Sequence, residues 1–352
     1  MLSFDHVTLA QRVLFGTGSA VDNAVRAVAD LGAERILLIH GRSSRELADR
    51  LAARVTVVAR IDDVVQHVPV ERADAAVASA RAADADLIVT IGGGSATGLG
   101  KAVALQTGAP IVAVPTTFAG SEATDVWGLT EAGRKTTGSD IRALPRVVVY
   151  DAALSAGLDG SFAIASGLNA VAHAVDAFWA PRVDPINRAL GTEGLRALVP
   201  GLRGLASDPA DLELRERTLY GAYLAAVAFS SAGSGLHHKI CHTLGGAYGL
   251  PHAETHAIVL PYVTAFNQSA APDAADRVRS VLGVDDAAAG LAALRAELGA
   301  PASLAAIGLR EQDVAEAAAL VLPAVPPSNP RSVALSDLVA IIRAAWRGDP
   351  VV

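Results

Sequence analysis

The sequence predicts two domains of different kinds: an α/β N-terminal domain over residues 1–151, built on a parallel sheet with helices on both faces, and an all-α domain over residues 152–352. Three observations carry this. A 352-residue chain with 51% hydrophobic residues can bury more core than one compact domain usually holds. In its first part, short β-branched runs alternate with Ala/Leu/Arg segments at helical spacing, the pattern of βαβ units. After Asp151 the strand-like runs vanish, and the rest reads as amphipathic helices separated by Gly, Pro and Asp.

Strands are expected at Arg35–His40, Arg54–Val58, Asp86–Ile91, Pro110–Pro115 and Arg146–Val149. A sheet of this Rossmann-like kind binds its ligands at the carboxyl ends of the strands. In the second domain the pattern predicts helices over Ala163–Phe178, Pro185–Leu205, Leu212–Ala232, Leu236–Tyr248, Glu254–Gln268, Ala287–Leu298, Glu311–Leu322 and Ser336–Trp346. The Pro-rich turn Val325–Arg331 is too short to be a linker.

Composition excludes several classes of function. A formal net charge of −7 without any Lys/Arg run gives no footprint for a nucleic-acid partner. The one cysteine, Cys241, rules out an internal disulfide and a multi-thiolate metal site, and its ordinary place is a buried, inert position. The start MLSFDHVTLAQRVLFG lacks the basic and apolar regions of a signal peptide, and charges interrupt every long apolar stretch. A cytoplasmic protein with no membrane span is expected.

The chemistry concentrates in two places. In DLIVTIGGGSATGLGKA (86–102) a strand runs into Gly92, Gly93 and Gly94, and Ser95 stands where a helix begins. Glycines let the backbone approach a ligand, and the free N–H groups of a helix start attract phosphate. A strand-to-helix turn without a ligand would use glycine in the same way. A second strand, in IVAVPTTFAGSEAT (111–124), ends at Pro115 and is followed by Thr116, Thr117, Gly120 and Ser121, whose hydroxyls suit phosphate or ribose oxygens or an ordinary Ser/Thr loop. Two such loops lining one crevice point to a dinucleotide. After Arg35–His40 come Gly41, Arg42 and Ser43, with no acid for a ribose. Either Arg42 and Ser43 face a 2′-phosphate, so that NADPH is accepted beside NADH, or Arg42 is an exposed loop residue.

The second place is a histidine cluster. Five of nine histidines lie in GLHHKICHTLGGAYGLPHAETH (235–256). His238 and His242 share a helix face, and His252 follows a Gly-rich turn that can swing it back. Upstream, Asn169 and His173 are four apart on another helix, so Asn169, His173, His238 and His252 can form one constellation.

These motifs, in this order and spacing, resemble the iron-containing alcohol dehydrogenases over most of the chain, which implies their dehydroquinate synthase-like fold. In metal-dependent members the position of Asn169 is Asp, and it binds a divalent cation with the residues matching His173, His238 and His252. A neutral amide is a poor ligand for a hard ion, and Asp176 is seven residues away, a replacement carboxylate or a supporting acid. Asn169, the run His237–Lys239, PHAETH (251–256) and GGGSATGL resemble the maleylacetate reductase subgroup, and Asn329–Arg331 fits the wider superfamily. The resemblance implies NADH- or NADPH-dependent reduction of the dicarboxylate maleylacetate to 3-oxoadipate, no required metal and a homodimer.

For that reaction we expect His238, His242 and Lys239 to polarise the ketone or hold carboxylates, with His173 and His252 completing the catalytic set. Asn169, His237 and Tyr248 are expected as substrate contacts. His256 is either a packed helix residue or part of the site. Two alternatives belong to other chemistries: a metal-dependent alcohol or polyol dehydrogenase with an ion on the three histidines, and a dehydroquinate synthase-like, non-redox, NAD-binding lyase.

Overall fold

The computed structural model describes residues 3–66, 68–131 and 134–351, and of residues 134 and 135 the backbone alone. The chain divides into two compact units, one spanning Leu9–Leu158 and the other running from Asp159 onward together with the segment ending at Thr8. The pattern change at Asp151 precedes this division. Residues 152–158 stay with the first unit because Asp151 ties them there: its carboxylate accepts the N–H groups of Gly18, Ala20 and Ala153.

In the first unit, β1 (Arg12–Phe15), β2 (Ile36–His40), β3 (Val57–Ile61), β4 (Leu87–Gly92), β5 (Ile111–Pro115) and β8 (Val147–Tyr150) form one sheet in the order β1-β8-β5-β4-β2-β3. Every pairing is parallel. The central strands β2, β4 and β5 are buried along their whole length, which is why they read as continuous apolar runs rather than alternating ones. Helices α1 (Ala20–Asp30), α2 (Arg45–Ala52), α3 (Val70–Ala82) and α4 (Gly94–Thr107) connect them. Two apolar clusters cover the sheet, one around Ala24, Leu38, Val89 and Val112, the other around Leu37, Ile88, Val77 and Val103.

Three features differ from the sequence expectation. The edge strand β1 is only four residues and half-exposed. The β6 (Val126–Glu131) and β7 (Arg134–Ser139) hairpin carries little apolar alternation. Strand β3 begins three residues after Arg54, because the turn that ends α2 extends past Ala53.

The second unit is helical: α5 (Gly160–Ala177), α6 (Pro185–Ser207), α7 (Leu212–Ala232), α8 (Leu236–Tyr248), α9 (His252–Asn267), α10 (Pro272–Leu282), α11 (Ala287–Glu297), α12 (Val314–Val321) and α13 (Leu335–Arg347). Its boundaries follow local chemistry. Asp159, Asp184, Asp211 and Asp286 cap α5, α6, α7 and α11 by accepting N–H groups of the first turn. Gly249 and Gly283 close α8 and α10 in the left-handed conformation. Helix α5 is buried along nearly all of its length and packs on α6, α7 and α9. Its side chains therefore face other helices, which is what lets it carry buried polar groups to a shared centre.

Candidate active site

In the α/β unit the chain passes from β2 outward to β3 and returns to the other side of β2 as β4. That reversal leaves a crevice beyond the carboxyl ends of β2 and β4, where open α/β sheets bind ligands. The predicted loops stand there. Gly41 N donates to Ile91 O at 3.2 Å and Thr116 N to Gly92 O at 3.1 Å, so the loops after β2, β4 and β5 are knitted through their backbones. Gly92 has φ +151°, a left-handed value that favours glycine. A Cβ at Gly93 would lie 2.9 Å from Thr117 Cγ2, so the first loop abuts the second. Helix α4 starts after Gly93 with no side-chain cap and with Ser95 in its first turn, leaving N–H groups for an anion. Ser121 is half-buried in the second loop, and Arg42 is exposed in the short turn after β2.

In the helical unit, Asn169, His173 and Asp176 lie on one face of α5 and are buried. His237 and His238 are buried on α8, while His242 and Lys239 are half-buried. From α9, His252 is half-buried and His256 fully buried. The rings assemble as the spacing predicts. His238 stacks on His173 with centroids 5.1 Å apart, lies 4.7 Å from His256 and lies 5.8 Å from His242; His252 is 4.4 Å from His256.

Two residues whose place the sequence leaves open organise this cluster. Asp176 has no exposure. One of its oxygens accepts from Gly235 N (2.7 Å) and faces His238 Nδ1 (2.7 Å); the other accepts from Trp179 Nε1 (3.0 Å) and His237 N (3.3 Å). It thus caps the N-terminus of α8 from a neighbouring helix, and a Cβ at Gly235 would fall 2.4 Å from it. Because both oxygens are occupied as acceptors, His238 Nδ1 is the donor and Nε2 keeps its lone pair. Burial pushes the Asp176 carboxyl up, against the pull of these hydrogen bonds.

His256 is the second organiser. Its Nδ1 lies 2.8 Å from His237 Nε2, and its Nε2 is buried without a hydrogen-bond partner. The one signal for it in the sequence is its position four residues after His252. Phe229, from α7, packs 4.2 Å from His238 and 4.9 Å from His173 and had no such signal.

Burial lowers His173 to about 4 and His237 to about 3. Burial, the largest cause, presses His238 well below its ordinary value. The buried imidazoles are therefore neutral near pH 7. Cys241 is buried as expected, with its thiol pushed well up by burial. Among the described residues, His237, Cys241 and His256 alone bring three His, Cys or carboxylate atoms of metal-ligating type within 4.8 Å of one another. The 2.8 Å between the two nitrogens is hydrogen-bond spacing.

Two residues expected as substrate contacts have protein partners in this unit. The His237 ring nitrogen is engaged by His256. Tyr248 packs beside the core of α8, α9, α12 and α13, with its hydroxyl on Asp313 O at 3.5 Å.

The uncapped start of α4 leaves N–H groups that suit an anion, and the buried neutral imidazoles surround polar atoms without partners; the chain's relatives make it an oxidoreductase. The chain belongs to the iron-containing alcohol dehydrogenase family: the family described as Iron-containing alcohol dehydrogenase matches residues 10–152, and Fe-containing alcohol dehydrogenase family, C-terminal, matches residues 163–346. Its relatives include maleylacetate reductase 1 of Rhodococcus opacus, 45% identical over 96% of this chain and 95% of that protein. The crystal structure of maleylacetate reductase from Rhizobium sp. strain MTP-10005 superposes with TM-score 0.93 at 43% identity, covering 99% of each chain. That of an iron-containing alcohol dehydrogenase from Corynebacterium glutamicum gives TM-score 0.95 at 48% identity, covering 99% of this chain and 98% of its own.

The family match overturns the expectation that no metal is required: it implies iron alongside the nicotinamide cofactor. The side chains fit such an ion. Asn169 Oδ1, His173 Nδ1 and His238 Nε2 are buried polar atoms without hydrogen-bond partners. Imidazole nitrogen suits ferrous iron, and a carboxylate behind the ligating ring, as Asp176 stands behind His238, is the usual support for a metal-binding histidine. The amide at 169 reduces the charge of the donor set without emptying it.

Proposed function

We propose that the chain is a maleylacetate reductase that uses reduced nicotinamide to saturate the conjugated double bond of maleylacetate, giving 3-oxoadipate. The observation that carries this reading is 45% identity to a maleylacetate reductase over 96% of the chain, with the buried histidine cluster present. A hydride adds to the carbon β to the ketone, and the electron pair moves through the former double bond onto the ketone oxygen. The resulting enolate takes a proton at its α carbon, and the nicotinamide leaves oxidised.

The roles divide between the units. Gly41, Gly92, Gly93, Gly94, Ser95, Thr116, Thr117 and Ser121 hold the dinucleotide through N–H and hydroxyl groups. Arg42, with no acid beside it in sequence, allows NADPH as well as NADH. In the helical unit, Asn169, His173, His238 and His252 would hold iron, which supplies a Lewis acid for an oxygen that gains negative charge. His238 presents a lone pair there, and an N–H from that nitrogen would require an imidazolium that burial opposes. Lys239 holds a substrate carboxylate, and His242, half-buried and therefore able to exchange protons with water, donates to the α carbon from its ring nitrogen.

Among the described residues no helix is long and apolar enough to cross a membrane. We assign the protein to the cytoplasm, as a homodimer acting in the breakdown of aromatic compounds, in line with the sequence resemblance. The deciding assay follows oxidation of NADH and of NADPH on addition of maleylacetate, with iron quantified in the same sample. Turnover with maleylacetate and formation of 3-oxoadipate is the expected result. Turnover with simple alcohols and aldehydes alone would replace this reading with the alcohol dehydrogenase.

A further inference from the structure

Of the 29 basic residues in the chain, only Lys101, Lys135 and Lys239 are lysines, and the rest are arginines. Lys101 lies in α4, the helix that begins at the first cofactor loop, and has no solvent exposure. Its Nζ donates to Thr124 O at 2.8 Å, Thr124 Oγ1 at 3.0 Å and Val126 O at 2.7 Å. An ammonium has three donors. All three are used, on acceptors that directly follow the second cofactor loop. The hydroxyl of Thr124 donates onward to Ser121 O at 3.2 Å, so the ammonium reaches a proposed cofactor contact through a single side chain.

The same stretch is held from its other side. Glu122 is buried and accepts from the Tyr150 hydroxyl at 2.7 Å, and its carbonyl accepts from Gln11 Nε2 at 2.8 Å. The loop's entry is tied at Thr116, whose N–H donates to Gly92 O. Each anchor near Ser121 is thus a buried group whose partner lies in a regular element or just ahead of one. A guanidinium cannot replace the ammonium here, because its planar fork carries five donors in fixed directions and needs more room.

We propose that Lys101 is a positioning residue for the nicotinamide cofactor, fixing the Thr116–Ser121 loop in its binding shape through Thr124 and Val126. This rests on the reading that these loops bind the cofactor. With the ammonium removed, two carbonyls and a hydroxyl lose their donor inside the unit, and the loop no longer has one preset arrangement. The effect falls on cofactor affinity, since Lys101 touches none of the residues assigned to proton transfer. Burial lowers the ammonium to about 7, with the charges of Glu122 and Asp125 holding it up, consistent with a site that keeps a proton only through its partners.

The test titrates NADH into the purified full-length protein by its fluorescence, for wild type, Lys101→Met, Lys101→Arg and Thr124→Val. Steady-state KM and kcat and the thermal midpoint are measured in parallel. We expect Lys101→Met to raise Kd and KM for NADH about tenfold, with kcat at saturating NADH and KM for maleylacetate changed by no more than about twofold. Lys101→Arg fails to restore binding, and Thr124→Val, which keeps the ammonium, gives a smaller loss in the same direction. A folded Lys101→Met protein that binds NADH as tightly as wild type overturns the proposal. If that variant does not fold, an unchanged Kd in folded Thr124→Val overturns it instead. Failure of the wild type to bind NADH removes the cofactor reading, and this proposal with it; that result is distinct from a variant-specific null.

Discussion

The two units solve the problem of holding a reactant in opposite ways. The α/β unit offers backbone: glycines that let loops touch, and N–H groups freed at the start of α4. The helical unit offers side chains: imidazoles from α8 and α9, and Asn169 and Asp176 from α5, buried where water cannot screen them. A backbone site is insensitive to side-chain charge and fails when space is filled. A buried side-chain site tolerates little change in charge and fails when one partner is removed.

The contrast can be broken at four points. The largest effect is expected from His242→Ala, which should lower kcat by about 10²–10⁴-fold with little change in NADH affinity. An equal loss of NADH binding would show that the two sites are not separable. Next, Asp176→Asn keeps the volume and removes the charge behind His238. Iron affinity, measured by equilibrium dialysis, should fall about 10–100-fold. Iron retained at wild-type affinity would leave Asp176 with only a capping role. Gly93→Ala places a methyl 2.9 Å from Thr117 Cγ2. NADH KM should rise about tenfold while kcat is largely kept, and a change in kcat alone would contradict a backbone cradle. The smallest effect is expected from Arg42→Ala, which should weaken NADPH a few-fold relative to NADH in side-by-side KM measurements.

A pH series sharpens the comparison from the stability side. Lys101 titrates near 7 when folded and at its ordinary 10.5 when unfolded. Between those values the unfolded chain binds more protons at this group, so folding gains stability as pH rises, by at most about 1.4 kcal/mol per unit. The gain is lost as pH falls through about 7. The stability difference between wild type and Lys101→Met, from denaturant unfolding at several pH values, should therefore move toward wild type from pH 7 to 10. A flat difference would mean the amine is not buried in the folded protein.

Legibility in the sequence followed the physics of each element. The expected spans Leu212–Ala232 and Leu236–Tyr248 coincide with α7 and α8, because Asp211, Gly233, Gly235 and Gly249 mark their ends locally. Helix α10 is not expected although Pro272 and Gly283 bracket it, since its buried stripe is only Ala274, Ala275 and Val278, a weak apolar signal. Glycine loops could be placed because a strand end and a helix start are both local signals. Which side chains meet inside the helical unit depends on packing angles, which no spacing encodes. That is why His256 is left open by its spacing and the Asp313 partner of Tyr248 is not foreseen, while His238 and His173 come together as expected. The metal escapes the sequence for a related reason: the amide at 169 reads as a poor ligand, while the partnerless atoms of Asn169, His173 and His238 and the carboxylate of Asp176 behind His238 come together only in the fold.

The scarcity of lysine has a practical consequence. An amine-reactive reagent meets few targets in this protein, and Lys101 is closed to it while its three acceptors are in place. Modification at that position can occur only during excursions in which the Thr124–Val126 segment lets go. The slow labelling of one amine, followed by mass, would then clock local opening of the α/β unit, and bound nicotinamide should slow that clock.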